Sequence, residues 1–191
     1  MGSFNTYLRL GYEHILSLNA LDHILFVIVL MAAYQTRYWL RIVIAVSLFT
    51  VGHMVSLVTA SYDLIKVDKE MVEFLIPFTI VFTALYNLTS AGQRSQGRFK
   101  YFLALVFGII HGLGFSSYLG MLIMGDGDLW SALLPFSLGV EIGQLVVVFV
   151  TYIFMLILLV LMRKNARDWN LFISGTAFGL SLIMCIENWP W

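Results

Sequence analysis

The sequence predicts an all-α polytopic membrane helix bundle, with six transmembrane helices and a short N-terminal helix that is interfacial or re-entrant. Composition is the first observation behind this prediction. Of 191 residues, 60% are hydrophobic and 12% are charged, and the mean hydropathy is +0.89, whereas an ordinary soluble domain carries about 25% charged residues. The second observation is that the apolar residues gather in six runs, each separated from the next by polar residues.

A helix needs about 20 residues to cross about 30 Å of hydrocarbon, and most of the runs have that length. The runs cover residues 20–34, 39–61, 71–91, 101–124, 131–162 and 170–188. Because the first run is short, we expect residues 4–16 to form a separate helix along the membrane surface or re-entering beside that run. Residues 1–191 therefore form a single transmembrane domain.

The distribution of basic residues predicts the orientation. The loops after the first, third and fifth runs contain eight of the eleven Lys and Arg residues, namely Arg37, Arg41, Arg94, Arg98, Lys100, Arg163, Lys164 and Arg167. Cytoplasmic loops carry the excess of Lys and Arg. We therefore predict a multi-pass protein of the cytoplasmic (inner) membrane with both termini on the outer, periplasmic side.

Charge and cysteine content narrow the possible partners. The formal net charge is zero, so no overall positive field favours nucleic acid. A single cysteine, Cys185, excludes an intramolecular disulfide and any metal motif built on a cysteine pair. Any partner must therefore be inferred from local features: the apolar runs predict the lipid bilayer, the ionisable residues described next predict a metal ion, and a second copy of the chain or an envelope complex stays open.

Ionisable residues within the apolar runs indicate a functional site. All four histidines lie in or beside these runs, together with an aspartate and a glutamate: His14, Asp22, His23, His53, His111 and Glu141. Such groups are costly in hydrocarbon and usually face a bundle interior or a wet cavity. Imidazole and carboxylate suit a divalent transition metal such as Ni, Co or Zn, and no thiolate competes. These six residues are therefore the candidate metal ligands.

Their depths predict a site that opens to the outer face. With the orientation given above, Asp22, His23 and His53 lie in the outer half of the membrane. His111 and Glu141 lie about ten residues, or roughly 15 Å, from the nearest end of their spans, which places them near the midplane.

Two glycine pairs flank the deepest of these residues. Gly108 and Gly112 bracket His111, and Gly139 and Gly143 bracket Glu141. Glycines spaced in this way let helices approach closely. We therefore expect these two helices to face each other and to present imidazole and carboxylate across their contact.

Three interpretations are open on the residues alone. The first is a metal permease. The second is an intramembrane metal-dependent enzyme that uses the same ligands with Glu141 as general base, although the chain has no H-E-x-x-H or G-x-S-x-G motif. The third is a metal-independent subunit of an envelope complex, whose buried polar residues only fix helix packing. The roles of Glu73 and Asn87 stay open.

Four stretches resemble the HupE/UreJ family of small membrane proteins, in particular its second subfamily. They are G-Y-E-H-I-L…L-D-H-I-L-F (residues 11–26), F-T-V-G-H-M-V-S-L (49–57), F-G-I-I-H-G-L-G-F (107–115) and F-S-L-G-V-E-I-G-Q (136–144). The resemblance implies a bundle of six or seven membrane helices acting as a nickel or cobalt permease, and it marks the same six candidate ligands. We therefore favour a divalent transition-metal permease over the enzyme.

Overall fold

A computed structural model describes residues 2–17, 20–34, 36–62, 64–65, 68–89, 92, 97–123, 129–161 and 165–190. Within these ranges the chain is helical and forms no strand. The helices are α1 (Gly2–Leu16), α2 (Leu21–Ala32), α3 (Trp39–Ser61), α4 (Lys69–Leu88), α5 (Arg98–Ile123), α6 (Leu129–Leu161) and α7 (Ala166–Glu187), with a 3-10 turn at Thr36–Tyr38. The predicted fold class is confirmed.

Five helices, α3 to α7, are long and apolar enough to span a membrane each. The twelve residues of α2 reach only about 18 Å and cannot cross alone. Taken together, α1 and α2 are long and apolar enough to form a sixth span. The two helices are bent by 68° relative to each other at the break between them. The chain is a multi-pass membrane protein, and the short helix expected at its N-terminus is present as α1.

Buried polar contacts show which helix ends lie together. The Asn87 side chain near the end of α4 donates to the Val29 carbonyl of α2 at 2.6 Å, and Asn170 at the start of α7 donates to the Asn87 carbonyl at 2.9 Å. Lys100 in the first turn of α5 lies over the Tyr34 ring, which follows α2. This end also carries Arg37, Arg41, Arg98 and Arg167, and we call it the basic end.

The helices α3 and α5 touch through their backbones. A Cβ added to Gly52 would lie 2.1 Å from the Leu105 carbonyl oxygen, and one added to Gly108 would lie 2.1 Å from the Phe49 carbonyl oxygen. The contact is reciprocal, and the two helices run parallel, since Gly112 further along α5 meets Ser56 further along α3. Only glycine permits this approach.

A second reciprocal contact joins α1 to α6. A Cβ on Gly11 would lie 2.1 Å from the Phe136 carbonyl oxygen, and one on Gly139 would lie 2.1 Å from the Leu8 carbonyl oxygen. The glycines around His111 and Glu141 therefore mediate helix contact as predicted, but not with each other. The expectation that α5 and α6 meet along these glycines and present imidazole and carboxylate across the contact is wrong, because the glycines of each helix pack against a different partner.

We predict that Gly52→Ala destabilises the bundle by about 1–3 kcal/mol, since the added methyl group would meet backbone atoms of α5 that cannot rotate away. The measurement is thermal unfolding in detergent. Gly175→Ala is the matched control, because nothing lies within 4 Å of a Cβ there. Equal unfolding temperatures for the two variants would contradict the proposed close contact.

Candidate metal centre

Four imidazoles from four different helices converge in the bundle. The ring centroids of His14 (α1) and His23 (α2) are 4.7 Å apart, and those of His23 and His111 (α5) are 5.0 Å apart. His53 (α3) lies 5.9 Å from both His14 and His23. We call these four histidines and Asp22 the His cluster.

The His cluster contains two overlapping sets of candidate ligand atoms. One set joins His14, His23 and His53, and the other joins Asp22, His23 and His111; within each set the atoms lie within 4.8 Å of one another. His23 belongs to both sets. The structure thus brings together five of the six residues that the sequence singled out, with spacings that small movements would convert into coordination.

Among the described residues, each histidine of the cluster has one buried ring nitrogen that finds no hydrogen-bond partner. These atoms are Nε2 of His14, His23 and His53 and Nδ1 of His111. His23, His53 and His111 are only 1–3% exposed. A buried polar atom without a partner is costly, and native proteins leave few. Four such nitrogens in one place make the His cluster the candidate ligand site of the part of the chain that the structure describes.

The hydrogen bonds of Thr79 favour one tautomer of His111. The Thr79 hydroxyl donates its only hydrogen to the Ile76 carbonyl at 2.7 Å. In that arrangement Thr79 accepts at its 3.0 Å contact with Nε2 of His111. With the proton on Nε2, the unpartnered Nδ1 of His111 carries a lone pair that can bind a metal. Metal-binding histidines are commonly oriented in this way through their second nitrogen.

Asp22 orients His23 in the same manner. An Asp22 carboxylate oxygen lies 3.1 Å from Nδ1 of His23 and also accepts a hydrogen bond from the His23 backbone N–H. With the proton on Nδ1, the unpartnered Nε2 of His23 presents a lone pair to the cluster. Asp22 can therefore act as the partner of His23 or, through its other oxygen, as a ligand itself.

Aromatic rings close the cluster on two sides. Towards the basic end, Phe49 lies 5.0 Å from His111 and 4.7 Å from Phe26, which itself lies 5.3 Å from His111. Towards the other end, Phe115 and Phe136 stack at 4.9 Å, and Phe115 lies 4.1 Å from His14. These rings keep water from the imidazoles and lower the local dielectric, which strengthens any interaction with a bound cation.

Glu141 is the sixth candidate, and it lies in neither set of ligand atoms. Its carboxylate is held by hydroxyl groups of α3, from Ser47 at 2.6 Å and from Thr50. Of the two residues whose roles stayed open, Glu73 is exposed and pairs with Lys69 at 3.4 Å. Asn87 joins α4 to α2 through the Val29 carbonyl.

Two contributors were missed by reasoning from the sequence. Thr79 orients His111, and Gln144 contacts the hydroxyl of Thr50, which binds Glu141. Both are hydrogen-bonding side chains within apolar runs, and this position is the sequence feature that could have identified them. Hydroxyl groups are common in membrane helices, however, so their presence alone did not indicate which would face a histidine.

The comparison with protein families agrees with this geometry. The model of the family described as HupE / UreJ protein matches residues 1–189, nearly the entire chain. The chain belongs to the HupE/UreJ family. This family is associated with nickel and cobalt transport, which supports a metal transporter in general. No curated protein and no solved structure matches the chain significantly.

We predict that Thr79→Val weakens transition-metal binding by about 10–100-fold, the usual effect of removing the partner that orients a ligand histidine. The measurement is titration of the purified protein with Ni, Co or Zn. Thr83→Val is the matched control, because the Thr83 hydroxyl donates only to a backbone carbonyl of its own helix, that of Thr79. If both variants bind metal like the wild type, Thr79 does not orient a ligand.

Proposed function

We propose that this protein is a permease that carries a divalent transition-metal ion, Ni, Co or Zn, across the cytoplasmic membrane through the His cluster. The convergence of four imidazoles with four unpartnered nitrogens supports this proposal above all. Neutral imidazole is a ligand for each of these metals, and a metal ion would supply the partner that every one of those nitrogens lacks. Membership of the HupE/UreJ family supports the same class of substrate.

The break between α1 and α2 supports transport in particular. His14 lies in the last turn of α1, and Asp22 lies in the first turn of α2. Transporters commonly bind their substrates where a membrane helix is interrupted, because the chain there can rearrange without disturbing a continuous helix. The two halves of the bent pair can therefore change their angle and expose the cluster to one side.

The shared ligand suggests how the ion moves. An ion held by His14, His23 and His53 can exchange two of its ligands for Asp22 and His111 while it stays on His23. Such a stepwise exchange avoids release of a bare divalent ion into hydrocarbon, which would be very costly. We place the basic end in the cytoplasm, since positive residues favour that side, and the proposed direction is import.

The experiment is uptake of Ni, Co and Zn by proteoliposomes that contain the purified protein. We expect uptake above empty liposomes for at least one metal, and loss of that uptake in His23→Ala, because His23 belongs to both ligand sets. Glu73→Gln is the control, as Glu73 is exposed and remote from the ligand sets.

Uptake of none of the three metals would contradict the proposal. Metal content of the purified protein should be measured in parallel. A metal that stays bound through purification without any flux would favour the intramembrane enzyme instead.

A further inference from the structure

A buried ammonium group lies at the basic end, in the first turn of α5. The Lys100 side chain is only 2% exposed, and its Nζ atom finds no hydrogen-bond partner among the described residues. Lysines near the end of a membrane helix normally extend into water, and Arg98, two residues earlier, is exposed. Lys100 instead turns inward, where an ammonium group without a partner is costly.

The groups around Lys100 supply no negative charge. Its Nζ lies 4.7 Å from the centre of the Tyr34 ring, and the buried Tyr34 hydroxyl likewise finds no partner among the described residues. A cation–π contact stabilises the ammonium group only in part. Of the described acidic residues, Asp168 is the one at this end, and its carboxylate accepts the Asn165 backbone N–H in the cap of α7.

Lys100 lines a small cavity between α2, α4 and α5. Two other polar residues of the lining, Thr83 and Asn87, donate to backbone carbonyls of the protein. Of all the lining residues, only Tyr86 of α4 and Leu103 of α5 are partly exposed, and the others are buried. The cavity therefore opens between α4 and α5, and we call this opening the mouth.

The mouth faces lipid. On both sides of it the two helices expose large apolar side chains, namely Phe82, Leu85, Phe99 and Phe102. Tyr86, in the last turn of α4, packs against Phe99 with ring centroids 5.2 Å apart, and aromatic side chains of this kind mark the level of the lipid headgroups. A molecule that enters the mouth therefore comes from the bilayer at headgroup depth.

We propose that this cavity is a binding site for an anionic membrane lipid, whose phosphate group pairs with the Lys100 ammonium at the mouth. A phosphate supplies both the charge and the acceptor oxygens that Lys100 lacks. The N-terminus of α5 also favours an anion, because the positive end of the helix dipole lies there. Basic pockets between membrane helices suit anionic headgroups for these reasons.

The size of the cavity fixes how such a lipid fits. The cavity is too small for an acyl chain, so a phosphate oxygen enters the mouth while the acyl chains lie along the exposed phenylalanines outside. The flexible stem of lysine lets the ammonium group turn from the Tyr34 ring towards the phosphate.

Two other arrangements would need no lipid. A water molecule in the cavity would accept a hydrogen bond from Nζ of Lys100 but would leave its charge without a counter-ion. An uncharged amine would need no anion at all. Both arrangements predict that Lys100 gives the protein no preference for anionic over neutral lipid.

The test measures thermal unfolding of full-length protein in nanodiscs of phosphatidylcholine, alone or mixed with phosphatidylglycerol. We expect the wild type to unfold at a higher temperature in the anionic nanodiscs, and Lys100→Met to lose most of this difference. Each variant is compared with itself in the two lipids, so a general change in stability cancels. Arg98→Met is the matched control, because it removes an exposed cation from the same turn and should keep the difference.

Native mass spectrometry identifies the bound molecule. Phosphatidylglycerol should stay on the wild type and on Arg98→Met, and should be depleted from Lys100→Met. The proposal is overturned if Lys100→Met keeps the same lipid and the same difference in unfolding temperature as the wild type. It is also overturned if inorganic phosphate, added to phosphatidylcholine nanodiscs, stabilises the wild type as much as phosphatidylglycerol does. Neither measurement needs a transition metal, so the result does not depend on the proposed transport.

Discussion

Backbone contact between two pairs of parallel helices is the constraint on which the rest of this structure depends. Gly52 meets the Leu105 backbone and Gly108 meets the Phe49 backbone where α3 crosses α5, and Gly11 meets Gly139 where α1 crosses α6. Lipid tails are as apolar as leucine, so close van der Waals contact must supply much of the association between membrane helices. Glycine makes that contact possible, and its position along each helix sets the register of the partners.

The register of the paired helices determines where the histidines lie. His14 follows Gly11 by three residues and His111 follows Gly108 by three residues, so each imidazole lies about 4.5 Å further along its helix than the crossing point. The sequences L-R-L-G-Y-E-H-I-L (8–16) and L-V-F-G-I-I-H-G-L (105–113) share this pattern of Leu, Gly, His and Leu. The same sequence motif, a glycine at the helix contact followed three residues later by a histidine of the His cluster, thus occurs in α1 and again in α5.

Hydropathy and residue chemistry were enough to predict the five long spans α3 to α7 and the gathering of His14, Asp22, His23, His53 and His111, but not that the first run needs α1 to reach the length of a span. A long apolar run has one stable form in a bilayer, and an ionisable group within it has few tolerable environments. Helix partners could not be predicted, because the glycine spacing of α5 marks a close helix contact without indicating which helix makes it. For the same reason, the placement of Glu141 against Ser47 and Thr50 required the structure.

The broken helix creates an electrostatic conflict that Asp22 resolves. The N-terminus of α2 lies beside the His cluster, and the positive end of a helix dipole opposes a cation there. Asp22 is the acidic residue in that first turn, and its carboxylate also contacts the His23 ring, so one side chain offsets the dipole and orients the imidazole. An asparagine at this position would keep most of the hydrogen bonding but lose the charge. The acidic first turn thus reduces the electrostatic cost of a cation beside the interrupted helix.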